Sequence, residues 1–190
     1  MLLHKLCPWN LPEDMKSMKK LQSFMLDGYR GYHCLPNCCK FEHLEMVSLW
    51  DCHNIRELSP LEWMPNLKLL KLRYCSSLRE LGIGSRGGYQ RLQKLVLNNL
   101  YELESLGGAS KTEEGEEGVW DERTLPHLRV LKIIDCESLN IFPTGMEKLP
   151  NLCTLMGFSA WWESIRWEDN SMKIKLQSIF KEYNWHGHGR

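Results

Sequence analysis

No stretch of this 190-residue chain is apolar for long enough to cross a bilayer, which takes roughly 20 consecutive residues, and the opening MLLHKLCPWNLPED has no apolar core of signal-peptide length. An excess of charge is missing too: 24 Lys and Arg stand against 24 Asp and Glu. That balance asks for neither nucleic acid nor an anionic membrane as partner, so any preference has to come from local patches. GxxxxGKS and GxxxxGKT do not occur, which removes the loop that cradles phosphates. A cytoplasmic or nuclear chain is expected, with no cofactor.

What the chain has in quantity is leucine at fixed spacing. LKLLKLRYCSSLREL (67–81) reads poorly as a helix, because Leu69 and Leu72 leave the face shared by Leu67, Leu70, Leu78 and Leu81. It reads as a strand only briefly, where Leu70 and Leu72 alternate with Lys71 and Arg73. The same string recurs, as LEMVSLWDCHNIREL from Leu44, LQKLVLNNLYELESL from Leu92 and LRVLKIIDCESLNIF from Leu128, with weaker copies from Leu21 and Leu152. The steps are 23, 23, 25, 36 and 24 residues. All but one fall in the roughly 20 to 29 residues of a leucine-rich repeat.

The unit LxxLxLxxCxxLxxL is a short strand, a turn at the cysteine and a return segment with apolar residues every third position. One coil cannot bury these side chains alone, so the coils must stack with their strands side by side. The fold class expected is therefore an α/β repeat: a leucine-rich-repeat solenoid with a parallel β-sheet on its concave face, an irregular convex side and a C-terminal aromatic cap. About six repeats are expected over residues 1–169, followed by a tail, 170–190, in which Met172, Leu176, Ile179, Phe180 and Tyr183 have the spacing of a short amphipathic helix. The chain opens in mid-pattern, which suggests the C-terminal part of a longer solenoid. Cys52, Cys75 and Cys136 share one repeat position, where a small buried thiol can bond to turn backbone, so three of the eight cysteines are explained without disulfides. Reduced thiols agree with a reducing compartment.

Residues between and just after the strand leucines point away from the coil and align in rows. One row reads Met25, Ser48, Lys71, Val96, Lys132, Met156, and its neighbour reads Asp27, Trp50, Arg73, Asn98, Ile134, Phe158. Trp50 beside Arg73 and the lysines has the makeup of a protein-binding hot spot. The candidate partner-binding residues are thus Ser48, Trp50, Lys71, Arg73, Val96, Asn98, Lys132, Ile134, Met156 and Phe158, facing either a separate protein or another domain of the same chain.

Other signals are read structurally. GIGSRG (82–87) satisfies GxGxxG, but a repeat begins at Leu92 and leaves no room for the helix a dinucleotide fingerprint needs. His33, Cys34, Cys38, Cys39 and His43 could ligate a metal, yet no second matched pair completes a zinc pattern, and a convex-side loop with small buried thiols is expected. A cysteine nucleophile can be drawn beside His33, His43 or His53, but no catalytic signature surrounds any of them, and no enzyme is expected. His186 and His188 lie in a simple end segment. The long fourth step is an acidic insertion, 107–124, read as a solvated loop or as a contact loop anchored by Trp120. In GFSAWWESIRWED (157–169) Gly157 replaces the second strand leucine, and Trp161, Trp162 and Trp167 are read as a cap over the last coil.

Taken together, LxxLxLxxCxxLxxLP repeats of irregular length, the LPNL segment at 149–152 and the terminal GFSAWWESIRWED resemble the C-terminal leucine-rich repeats of plant intracellular nucleotide-binding disease resistance proteins of the coiled-coil class, over about 11–169. The resemblance implies a domain of an innate immune receptor that recognises pathogen effectors, or host proteins they modify, and holds the receptor inactive through contacts with its nucleotide-binding domain. No nucleotide-binding or coiled-coil motif is present, so ATP or ADP binding does not carry over. The alternative is a leucine-rich-repeat substrate adaptor of a ubiquitin ligase, which an upstream F-box would distinguish.

Overall fold

The computed structural model describes residues 20–31, 41–56, 58, 64–83, 89–107, 120–167 and 169–184. Each repeat contributes one strand, beginning two residues after its first leucine: β1 (Ser23–Asp27), β2 (Met46–Trp50), β3 (Leu69–Arg73), β4 (Lys94–Asn98), β5 (Val130–Ile134) and β6 (Thr154–Gly157). They pair in parallel in chain order. The short period-two signal in the sequence reflects this length, since four or five residues are all that one coil gives to the sheet.

Register follows from the leucines. Phe24, Val47, Leu70, Leu95, Leu131 and Leu155 stand opposite one another through the stack, as do Leu26, Leu49, Leu72, Leu97 and Ile133. All of these are buried in one continuous core. A slip of one residue on any strand would turn its buried pair outward, so the core holds the register. Behind the sheet the ladder Ile55, Leu78, Leu103, Leu139 continues the same interior along the return arms. These arms are irregular, as expected, with a 3₁₀ turn at Met146–Lys148.

The turn out of each strand uses one backbone device. The residue after the strand is left-handed, at Gly28 (φ 68°), Asp51 (55°), Tyr74 (54°), Asn99 (55°) and Asp135 (52°). Gly, Asn and Asp tolerate this region; Tyr74 adopts it against a steric cost. The amide of each residue from Gly28 to Asn99 in this set donates to a carbonyl of the next coil, extending the ladder past the strand, as in Asp51 N–H to Arg73 O at 2.9 Å and Tyr74 N–H to Asn98 O at 3.0 Å. The reversal then drives the following side chain inward: Tyr29, Cys52, Cys75, Leu100 and Cys136 are all buried. The cysteines do what their repeat position suggests, with Cys52 Sγ 3.2 Å from Trp50 O, Cys75 Sγ 3.5 Å from Arg73 O and Cys136 Sγ 3.4 Å from Ile134 O. All three are free thiols. At the other end of the strands Asn66 donates to Glu42 O, and Asn151 to Pro126 O at 2.7 Å, so a Pro-Asn-Leu segment ties each of these coils to the one before.

After β6 the pattern changes for a visible reason. A Cβ on Gly157 would sit 2.5 Å from Trp161 and 2.9 Å from Ile133 O, so the indole of Trp161 occupies the place of the missing leucine. Its Nε1 donates to Leu139 O at 2.9 Å. Trp161 and Trp162 belong to α1 (Ser159–Ser164) and are buried; with Phe142, Trp167 and Phe180 they form an aromatic cluster over the last leucine coil.

The stretch from 170 differs from the tail expected of it. Met172 and Leu176 lie on α2 (Asn170–Gln177) and are buried, but the helix ends there. Phe180 begins β7 (Phe180–Glu182), which adds to β6 as a seventh parallel strand. The helical spacing of Ile179, Phe180 and Tyr183 is therefore fortuitous. Leu155 N–H bonds to Ile179 O at 3.0 Å and Phe180 stacks on Trp162 at 4.4 Å, and together these contacts pull the chain into the sheet.

Leu70 and Leu131 have less than 2% of their surface exposed, so Leu70→Ala or Leu131→Ala is expected to cost about 2 to 5 kcal/mol, and an unchanged denaturant midpoint would contradict the shared core. Gly157→Ala should lower the unfolding free energy by about 1 to 3 kcal/mol through displacement of Trp161, and an unchanged stability would show that the indole does not fill that space.

Candidate recognition face

Three rows of side chains leave the outer face of the sheet. The middle row runs Met25, Ser48, Lys71, Val96, Lys132, Met156 and the rim row Asp27, Trp50, Arg73, Asn98, Ile134, each in register. Nine of the ten candidate residues lie where alternation puts them. Phe158 does not: pairing with β5 ends at Met156, and Phe158 is instead the extended N-cap of α1, its ring edge-on to Tyr183 at 5.4 Å. Gly157 is again the cause, since the chain must turn there to bring Trp161 inward.

Exposure divides the remaining nine. Trp50 is 49% exposed and Arg73 is exposed, whereas Val96 and Ile134 keep only 4% of their surface. Val96 lies between Lys71 and Lys132 in its row, and lysine stems are long enough to cover a neighbour while their ammonium groups reach water. Val96 and Ile134 therefore form the floor of the face, and Trp50, Arg73 and the lysines are its reachable groups.

Sequence reasoning missed the third row, Ser23, Met46, Leu69, Lys94, Val130 and Thr154, at the first position of each strand. All are half-buried, and extending the period-two alternation one step upstream would have found them. It also missed Tyr74 and Tyr101, which are 40% and 48% exposed. Tyr74 follows β3 directly and Tyr101 lies in the turn after β4, so they continue the aromatic rim begun by Trp50. The Tyr101 hydroxyl donates to Asn99 Oδ1 at 2.6 Å, and Asn99 Nδ2 to Asn98 Oδ1 at 2.8 Å.

The turn side holds a second polar cluster. His53 Nε2 is 2.6 Å from Asp51 Oδ1, its Nδ1 is 2.9 Å from Ser76 Oγ, and Arg30 reaches the other Asp51 oxygen at 3.0 Å. Ser, His and Asp in a chain suggest a hydrolytic triad, but Asp51 shares its charge with Arg30 and both His53 and Asp51 are about two-fifths exposed to competing water. The cluster spans three consecutive coils and acts as a strut between them.

Of the buried thiols, Cys75 and Cys136 are poor nucleophiles, whereas the hydrogen bond with Cys75 lowers the pKa of Cys52 although burial opposes it. The hydrogen bond with Cys52 and then burial push the Cys75 thiol well up, and burial pushes that of Cys136 up to about 12. His43 is exposed. His33, Cys34, Cys38 and Cys39 lie outside the described residues, as do Gly84 and Gly87 of the GxGxxG match, residues 108–119 of the acidic insertion, and His186 and His188. Trp120, read as the anchor of that insertion, has none of its surface exposed and donates its backbone N–H to Thr144 O at 2.8 Å. It fixes the C-terminal end of the insertion against the return arms.

Comparison with known proteins agrees with this architecture. Residues 10–75 match the family described as R13L1/DRL21 LRRs. Among curated proteins of Arabidopsis thaliana, the probable disease resistance proteins RF45 and RDL5 are each 28% identical over 172 residues, covering 90% of this chain and 15% of their own length. The probable disease resistance RPP8-like protein 4 is 31% identical over 111 residues, 58% of this chain and 11% of its own. The chain thus spans about 15% of the length of the first relatives it matches.

On the face itself Lys132 carries an electrostatic load: burial, then Lys94 and then Arg73, hold its ammonium pKa below the ordinary 10.5. A lysine whose folded pKa is depressed binds its proton more tightly in the unfolded chain, so its contribution to stability rises as pH climbs toward 10.5. Lys132→Met should raise the melting midpoint at neutral pH and reduce the gain on alkalinisation; a lower midpoint would mean that the load has been misassigned.

Proposed function

Starting from a chain that is a leucine-rich-repeat solenoid of the kind carried by plant disease resistance proteins, we propose that it is a non-catalytic recognition module and that the outer face of its sheet is where a protein docks. Trp50 carries the proposal. A large aromatic half open to solvent, fixed at the end of a strand with Arg73 in register beside it, is the combination that supplies most of the energy of protein interfaces. The rim aromatics Tyr74 and Tyr101 lengthen this edge, and the lysines of the inner rows supply charge.

Within a full-length receptor the module senses a pathogen effector or a host protein modified by one, and the same face contributes to autoinhibition by contacting the nucleotide-binding domain. The names of the relatives favour this over the ubiquitin-ligase adaptor, which has no comparable support. Cytoplasmic location is part of the proposal: the free, buried thiols suit a reducing compartment, and no helix among the described residues is long and apolar enough to cross a membrane.

A Trp50→Ala, Arg73→Ala double variant tests the site. Placed in the full-length protein, it should fold with an unchanged melting midpoint and either lose the pathogen-triggered response or signal without a trigger, because loss of two hot-spot side chains costs about 2 kcal/mol or more each. A normally folded variant with both the response and the resting state intact would move the site off this face.

A further inference from the structure

The charge on the outer face is far from the balance of the whole chain. From β2 to β6 the outward positions hold Lys71, Arg73, Lys94 and Lys132 and no carboxylate; Asp27 lies beyond them on β1, and on β7 the residue in the row of Met156 is Lys181. The cations sit on three adjacent strands, with strand neighbours about 4.8 Å apart and successive outward positions along a strand about 7 Å apart. Among the described residues none of the four has an ion-pair partner, although Lys68, Arg79 and Arg30, off this face, each have one. Burial and like charge together make this costly, as the depressed basicity of Lys132 shows. A chain that lowers its own stability to gather cations around an apolar floor is arranged to gain that energy back against an opposite charge.

We infer that the face between β2 and β5 takes an acidic polypeptide segment of a protein partner, with carboxylates over Lys71, Lys94 and Lys132 and an apolar side chain against Trp50. This rests on the reading of the face as a protein-docking surface and adds the chemistry of what docks. Lys71 and Lys132 are two strand spacings apart, about 10 Å, close to the roughly 9 Å that three residues of a polyproline II segment cover, and in such a segment side chains three apart point the same way. An acidic residue at every third position of a segment lying across the strands therefore meets both. A nucleic acid fits less well: its phosphates would lie over Val96 and Ile134, and a chain of zero net charge lacks the general attraction that polyanion binding uses.

The test uses the 190-residue chain and a fluorescent peptide with glutamates at every third position flanking a central Trp. Its glutamine counterpart and a single-stranded DNA oligonucleotide of equal length serve as competitors. The glutamate peptide should bind, weaken about tenfold or more between low and high salt, and be displaced by neither competitor. Lys71→Glu with Lys132→Glu should abolish binding, while Arg79→Glu, on the return side, should leave it unchanged. If the charge reversals impair folding by melting midpoint, Lys71→Gln with Lys132→Gln replaces them, with about tenfold weaker binding expected. No binding of the glutamate peptide, equal binding of its glutamine form, or displacement by DNA overturns the inference. Receptor function lost through Trp50→Ala with Arg73→Ala but kept through Lys71→Gln with Lys132→Gln would leave the docking face standing and remove only its preference for acid.

Discussion

No coil of this chain can bury its own leucines, and everything else in the structure follows from that. A single turn exposes one edge of its apolar ladder on each side, so Leu70 is hidden because Val47 and Leu95 flank it, and they in turn rely on Phe24 and Leu131. The energy is that of ordinary burial, about 1.5 to 3 kcal/mol for each large aliphatic side chain, but it is gained only when the coils are stacked. Stacking aligns the strands, alignment sets the register, and the register lays the outward side chains in rows. A recognition surface on such a molecule is what remains after the leucines have been satisfied.

The backbone is satisfied in the same direction. The left-handed residues that follow β1 to β4 send their amides to the next coil, asparagines of the Pro-Asn-Leu segments reach back to the previous one, and buried thiols bond turn carbonyls. Tyr74 is the exception that points to function. Gly, Asp or Asn fills its place after β1, β2, β4 and β5, and a tyrosine there accepts backbone strain while leaving an aromatic ring exposed at the end of β3. The cations of the inner rows, without ion-pair partners among the described residues, show the same departure from what stability alone would choose.

Much of this was legible in the sequence because a repeat reports its geometry several times over. Strands begin two residues after Leu21, Leu44, Leu67, Leu92, Leu128 and Leu152 without exception, and the shared role of Cys52, Cys75 and Cys136 was visible from their common position. Nine of the ten candidate face residues followed from alternation alone. What was not legible lies where repetition stops or where neighbours decide. Phe158 left the face because Trp161 takes the space beside Gly157, a contact between residues four apart that no repeat predicts. β7 was hidden by a spacing that suits a helix equally well, and only the open edge of β6 with the ring of Trp162 resolves it. Val96 and Ile134 looked exposed by alternation, yet both are buried, which strand periodicity alone does not report.

The shared interior is tested most directly by nuclear Overhauser contacts between backbone protons in the isotope-labelled chain. The account predicts cross-strand contacts linking Val47 to Leu70, Leu70 to Leu95 and Leu95 to Leu131, in the register of parallel strands about 4.8 Å apart. Contacts confined to residues three or four apart within 67–78, the mark of a helix, or an absence of any contact between successive repeats would contradict it.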